Sequence, residues 1–164
     1  MTARRLTVAP LTADGFAAYG DVIAMGGAPD RIINQGMCAR YHDRAALDFA
    51  DGRPGLSLFD AKARHLPLAV DMMERHPEGS QAFIPVSGAR FLIVVADDDD
   101  GVPVRLNAFI TQSEQSINLH RGVWHGVLTP IGAPGRFVVV DRIGSGANLE
   151  EHWFETPYIV ETLS

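Results

Sequence analysis

The sequence predicts an all-β fold, closed as a barrel or sandwich, with one or two short helices. Three observations carry this. Short apolar runs are separated by turn signals at intervals of about 8–12 residues, the spacing of such folds. Several runs alternate apolar and polar residues, the period of a half-buried strand. Only two segments are candidates for helices.

The elements follow in order. "LTVAPL" (6–11) reads as a first strand. Thr12 is a suitable N-cap for a short helix that carries Phe16 and Tyr19 and closes at Gly20. "GDVIAMGGAPDRIINQG" (20–36) reads as a strand piece and a loop. "GLSLFDAKA" (55–63) is a strand with partial alternation. "PLAVDMMERHP" (67–77) sits between two prolines and fits a helix or a strand; periodicity does not separate them. "SQAFIPVSGARFLIVVADD" (80–98) is a strand, a turn at 85–88 and a very apolar strand. "DDDDG" (97–101) reads as a solvated turn, because adjacent like charges repel and need water. "VRLNAFIT" (104–111) alternates again. "GVWHGVLTP" (122–130) and "GRFVVVDRIG" (135–144) are further strands, and "HWFETPYIVETL" (152–163) closes the chain as strands around Pro157. No internal repeat or linker divides residues 1–164, so they form a single domain.

The 164 residues suffice for one core without covalent staples. The net charge of −6 and the absence of a basic run exclude a nucleic-acid binder, which needs clustered Lys and Arg. A lone cysteine, Cys38, cannot form an internal disulfide, which fits a reducing compartment, and an idle thiol is expected there. The N-terminal "MTARRLTVAPL" has no apolar core of a signal peptide, and no apolar run nears the roughly 18 residues that span a membrane. A soluble cytoplasmic protein without membrane partners is expected.

Polar residues with a definite spacing interrupt the β pattern. Glu74 and His76 are two apart, so on a strand both point to one face. Gln81 and Gly88 follow, and later His120, Gly122 and His125. These spacings resemble the two motifs of the cupins. The first reads Glu74-x-His76, Gln81, Gly88; the second reads Gly122 and His125, with His120 where proline is usual and Thr129 where Asn is frequent. The fold implied is a cupin-type double-stranded β-helix barrel, roomy enough inside for one ligand. His, Glu and Gln offer nitrogen and oxygen donors to a divalent metal or a small polar substrate. Gln is a poorer ligand than the glutamate of the usual cupin site.

A narrower resemblance covers residues from about 5 to 160. "FAAYGDVI", "ARYHD", "MERHPEGSQAFIP", "AFITQSEQSINLHRGVWHGVL" and "FVVVDRIG" are similar to the ureidoglycolate lyases of allantoin degradation, in purine catabolism. That resemblance implies cleavage of (S)-ureidoglycolate to glyoxylate and urea, a homodimer, and a divalent metal with nickel among the candidates. One departure is Asp60, where the family often carries a basic residue; Lys62 is the substitute on the same strand face.

The chemistry is an elimination from a carbinolamine. A base takes the hydroxyl proton and an acid protonates the departing nitrogen, each worth typically about 10²–10⁴-fold. His120, His125 and Glu74 are the candidates for proton handling. Arg40, Lys62, Gln81 and Arg121 are the candidates for binding substrate, since a carboxylate is best met by a cation. If a metal is bound, His76, His125, Glu74 and Gln81 are its expected ligands. Plainer readings compete: His125 as a barrel histidine bonded to backbone, His120 as a rim residue, Glu74 in a surface pair with Arg75, and His65 and His152 as ordinary surface histidines. The alternative functions are another metal-dependent cupin enzyme, a dioxygenase or isomerase, or a non-catalytic small-molecule-binding cupin.

Overall fold

The computed structural model describes residues 4–112 and 114–163; Met1–Ala3 of the N-terminal segment, Ser113 and Ser164 lie outside them. Fifteen strands and one helical turn follow in order: β1 (Arg4–Leu6), β2 (Val8–Pro10), α1 (Ala13–Phe16), β3 (Gly20–Ile23), β4 (Arg31–Ile33), β5 (Cys38–Arg40), β6 (Arg53–Ala61), β7 (Leu68–Arg75), β8 (Gln81–Pro85), β9 (Phe91–Asp99), β10 (Val102–Ile110), β11 (Ser116–Leu119), β12 (Trp124–His125), β13 (Thr129–Pro130), β14 (Gly135–Ile143) and β15 (Glu150–Val160).

They form an eight-stranded sheet ordered β1-β15-β7-β12-β9-β10-β2, with β13 beside β9, and a five-stranded sheet ordered β3-β11-β8-β14-β6. Among the described residues, β4 and β5 pair only with each other. The two large sheets face one another across a shared core and form a β-barrel. Alternation along β9 shows why its sequence is apolar throughout. Phe91, Ile93 and Val95 join Phe83, Ile117, Leu119, Phe137 and Val139 of the opposite sheet in the barrel interior. Leu92, Val94 and Ala96 point the other way, into a second core with Val70, Met73, Trp124 and Val160. A strand buried on both faces reads as a continuous apolar run. Fully burying one such side chain contributes about 1.5–3 kcal/mol.

Several boundaries differ from the sequence reading, each for a local reason. Thr12 does cap the helix, accepting from Gly15 N–H at 3.1 Å, but the helix ends at Phe16. Gly20 opens β3 instead: a Cβ there would lie 2.2 Å from the Asn118 carbonyl oxygen. Segment 67–77 is a strand, because β7 is hydrogen-bonded between β12 and β15. Segment 20–36 opens as the expected strand piece, β3, but its expected loop contains β4, which pairs with β5 in a hairpin. "GVWHGVLTP" breaks into two short strands, whereas the C-terminal segment runs as one strand with an irregularity between Trp153 and Tyr158.

The acidic run is largely strand. Only Asp100 and Gly101 turn; Asp97 and Asp98 lie in β9 and are partnered. Asp97 accepts from the Tyr19 hydroxyl at 2.9 Å and from Arg105 Nε at 2.8 Å. Asp98 accepts from Trp124 Nε1 at 2.8 Å and from Arg75 Nη1 at 2.8 Å. Arg75 also lies over the Trp124 ring, 4.5 Å from its centroid, and bonds Glu150. The Trp124 N–H, with the Gly101 N–H and Arg75, holds the Asp98 carboxyl below the usual carboxylate range. His152 is half-buried, edge-on to Trp124 and Phe154, and so is not a plain surface histidine.

Asp98→Ala leaves the buried Trp124 N–H without an acceptor and should cost about 1–3 kcal/mol in urea unfolding. Asp99→Ala, in an exposed neighbour, should stay within about 0.5 kcal/mol. Because Asp98 has a depressed pKa in the fold, its contribution is present above its unfolded pKa and lost as pH falls through the folded one. The stability gap between wild type and Asp98→Ala should therefore narrow on acidification; a gap that widens contradicts the assignment.

Candidate active site

The site is built where β7 ends beside β12, to which it pairs antiparallel. His125 is the register partner of Glu74 on β7 and of Val95 on β9. Val95 belongs to the barrel interior, so His125 and Glu74 point there too. His76 lies two residues beyond Glu74, on the same face. Arg75 between them faces the second core's side, which is why it pairs with Asp98 and Glu150 and not with Glu74.

Gly122 shapes the turn into β12. Its φ of +79° suits glycine, and its N–H donates to the His76 carbonyl at 2.9 Å. The two imidazole centroids stand 5.2 Å apart. One ligand atom each from Glu74, His76 and His125 lie within 4.8 Å of one another.

Both imidazoles are anchored through the same nitrogen. His76 Nδ1 lies 2.7 Å from the Asn148 carbonyl oxygen. His125 Nδ1 lies 3.0 Å from that of Gly126. A carbonyl only accepts, so Nδ1 carries a proton in each ring, and in the neutral ring Nε2 keeps its lone pair. Both Nε2 atoms are buried and have no hydrogen-bond partner. Burial, and secondarily the neighbouring His76, pushes the His125 pKa down to about 4 against the pull of the Gly126 carbonyl. His125 is therefore neutral at physiological pH. Burial also raises the Glu74 pKa; His76 opposes this and Glu151, across the strand pair, adds to it.

Gln81 comes from the opposite sheet. It is the register partner of Leu119 and two residues before Phe83, both in the barrel interior, so it faces inward. Its Nε2 donates to Asp141 Oδ2 at 3.3 Å, and its Oε1 is buried without a partner. Three unpaired buried acceptors thus belong to inward-facing residues of one barrel. Buried polar atoms without partners are uncommon in folded proteins. Two imidazole Nε2 atoms with an adjacent carboxylate also match a known ligand set for first-row divalent metals. Carbonyl-bonded Nδ1–H is the usual outer support of a ligating histidine. The residues fit a metal.

The other sequence candidates lie elsewhere. His120 follows β11 on the face of Asn118, and its Nε2 is 3.3 Å from Asp21 Oδ1. Asp21 also accepts from Asn118 Nδ2 and from the Ala46 N–H, at 3.0 Å each. Burial alone would raise the Asp21 pKa, but these hydrogen bonds and His120 bring it below the usual value. Arg121 is exposed and 3.4 Å from Asp48. Lys62 is exposed just past β6, while Arg40 sits on the β4–β5 hairpin against His42. Among the described residues, none of His120, Arg121, Lys62 and Arg40 has a hydrogen bond or ion pair to Glu74, His76 or His125. Asp60 is exposed, 3.8 Å from Arg136.

Asp141, Asn148 and Asp21 were missed in the sequence. An acid inside the apolar run "FVVVDRIG" was a usable signal for Asp141. Nothing local marked Asn148, which acts through its backbone.

A protein-family model described as ureidoglycolate lyase matches residues 3–161. The chain belongs to the ureidoglycolate lyase family. A ureidoglycolate lyase of Rhodobacter capsulatus is 60% identical over 158 residues, 96% of this chain and 98% of that protein. Ureidoglycolate lyase 2 of Rhizobium meliloti is 48% identical over 158 residues, 95% of this chain and 97% of that one. The ureidoglycolate lyase of Pseudomonas syringae pv. tomato is 47% identical over 155 residues, 93% of this chain and 91% of that protein.

Nitrogen-15 spectra of histidine-labelled protein should show both His76 and His125 protonated on Nδ1 and bare on Nε2 at neutral pH. A protonated Nε2 on either ring would remove it as an acceptor or ligand and contradict this geometry.

Proposed function

We propose that the protein is a carbon–nitrogen lyase that splits (S)-ureidoglycolate into glyoxylate and urea, in allantoin and purine nitrogen catabolism. The observation that carries this reading is the pair of anchored imidazoles, with free Nε2 atoms beside Glu74, in a member of this family.

The substrate carbon bears a hydroxyl, a carboxylate and a ureido nitrogen. Glu74, His76 or His125 can take the hydroxyl proton as the C=O bond forms, each through a lone pair directed into the barrel. Their mutual distance lets the same proton be returned to the nitrogen as the C–N bond breaks, so no water is consumed. Gln81 Oε1 is the unpaired acceptor that a ureido N–H needs. The apolar wall of Phe83, Ile93, Ile117 and Leu119 keeps water from the bonds being made and broken. His120 and Asp21 hold the turn at 120–123 in place.

A divalent ion, with nickel among the candidates, would be held by His76 Nε2, His125 Nε2, Glu74 and Gln81 Oε1, and would polarise the hydroxyl and offset the substrate carboxylate. Exposed Leu56 and Leu58 on the edge strand β6, at 77% and 82% exposure, support a homodimer as part of the same reading. The single free Cys38 agrees with a cytoplasmic setting.

Purified protein given ureidoglycolate should release urea and glyoxylate in equal amounts. Chelation should depress that rate, and added nickel or manganese should restore it. Full activity after chelation would leave the same three residues as acid–base groups only. A folded protein that releases neither product, with or without metal, overturns the reading.

A further inference from the structure

The β4–β5 hairpin holds a cationic cluster that the proposed reaction does not use. Arg31 and Arg40 are cross-strand register partners. Like charges placed directly opposite repel, and a two-stranded ribbon is marginal on its own. Among the described residues neither guanidinium has a carboxylate partner. Arg40 Nη2 lies 2.8 Å from His42 Nδ1. Arginine only donates, so His42 Nδ1 accepts and the ring proton sits on Nε2. The imidazole is then a third donor beside the two guanidinium groups.

Asp30 is the acid in the same hollow, and it is already engaged. Its Oδ2 accepts the His42 main-chain N–H at 2.9 Å and Arg44 Nη2 at 2.8 Å. That main-chain N–H, with Arg44, holds the Asp30 carboxyl below the usual range, so it stays ionised and committed. The hollow lined by Asp30, Arg31, Arg40 and His42 measures about 170 Å³. The hollow is open to solvent, its four lining residues all exposed. The hollow therefore offers three donor side chains, one carboxylate engaged through its Oδ2, and space for a small ligand, in a chain of net charge −6.

We infer that Arg31, Arg40 and His42 form a binding site for a small oxyanion, whose charge relieves the cross-strand repulsion of the two arginines. Planar guanidinium forks suit carboxylate and phosphate alike. Two sources share that chemistry: the carboxylate of glyoxylate, and free inorganic phosphate. The site goes beyond the proposed lyase reaction and does not depend on it.

The test follows the His42 ring signals of the full-length, histidine-labelled protein by NMR. Sodium phosphate and sodium glyoxylate are titrated separately, against sodium chloride at matched ionic strength. At least one oxyanion should shift His42 saturably while chloride does not, and the anion that saturates lower names the source. The double variant Arg31→Gln, Arg40→Gln should weaken that binding about tenfold or more, the loss of a charge-assisted pair. Without anion its thermal midpoint should be unchanged or higher, since the repulsion is gone. Each single variant repeats the comparison should the double variant misfold. His76 and His125 report separately on the barrel interior. No response of His42 to either oxyanion, an equal response to chloride, or equal binding by the variants overturns the inference.

Discussion

The functional reading depends on two hydrogen bonds from imidazole Nδ1 atoms to backbone carbonyls. The Asn148 carbonyl holds His76 and the Gly126 carbonyl holds His125. Each bond does three things at once. It fixes the tautomer, aims the ring, and leaves Nε2 as a buried acceptor with nothing to accept from. Without these anchors, a ring could turn and satisfy Nε2 within the barrel, and the site would be an ordinary polar patch in a core. Unpaired buried acceptors cost free energy. The fold tolerates this because the surrounding sheet is packed on both faces and leaves the rings little room to turn.

That double packing is what the rest of the chain supplies. β9 separates the barrel interior from the second core and carries side chains into both. β12 lies beside it and β7 beyond β12, so Trp124 is locked on one side while His125 is presented on the other. The Trp124–Asp98–Arg75 network pins the outer side of the same strands through a buried N–H, a carboxylate and a guanidinium over the indole. The reactive face thus stands on a wall fixed from behind. A site on strands held this way keeps its geometry better than one on loops.

The legible part of the sequence was the part with strand periodicity. Glu74 and His76, two apart, could be placed on one face as soon as their segment was a strand. Residues 67–77 did not settle that, because β7 owes its state to pairing with β12 and β15. His125 was legible through the spacing that follows Gly122. His120 was not, since its partner Asp21 lies ninety-nine residues away and sets its direction. Four acids in a row read as solvated turn, yet Asp97 and Asp98 find donors on Tyr19, Arg105, Trp124 and Arg75. The β4–β5 hairpin lacks apolar alternation and is closed by the turn at 34–37, so its pairing left no pattern to read. The cationic residues proposed for the substrate carboxylate were chosen by type, and type alone says nothing about distance.

The Nε2 atoms of His76 and His125, with the Glu74 carboxylate, are the proposed reacting groups. The most direct measurement is kcat/KM on ureidoglycolate for His76→Gln, His125→Gln and Glu74→Gln, each shown folded by its near-ultraviolet circular dichroism. Every one should lose at least about 10²-fold, the scale of a lost acid–base group. Activity within a few-fold of wild type in any of the three would contradict that assignment.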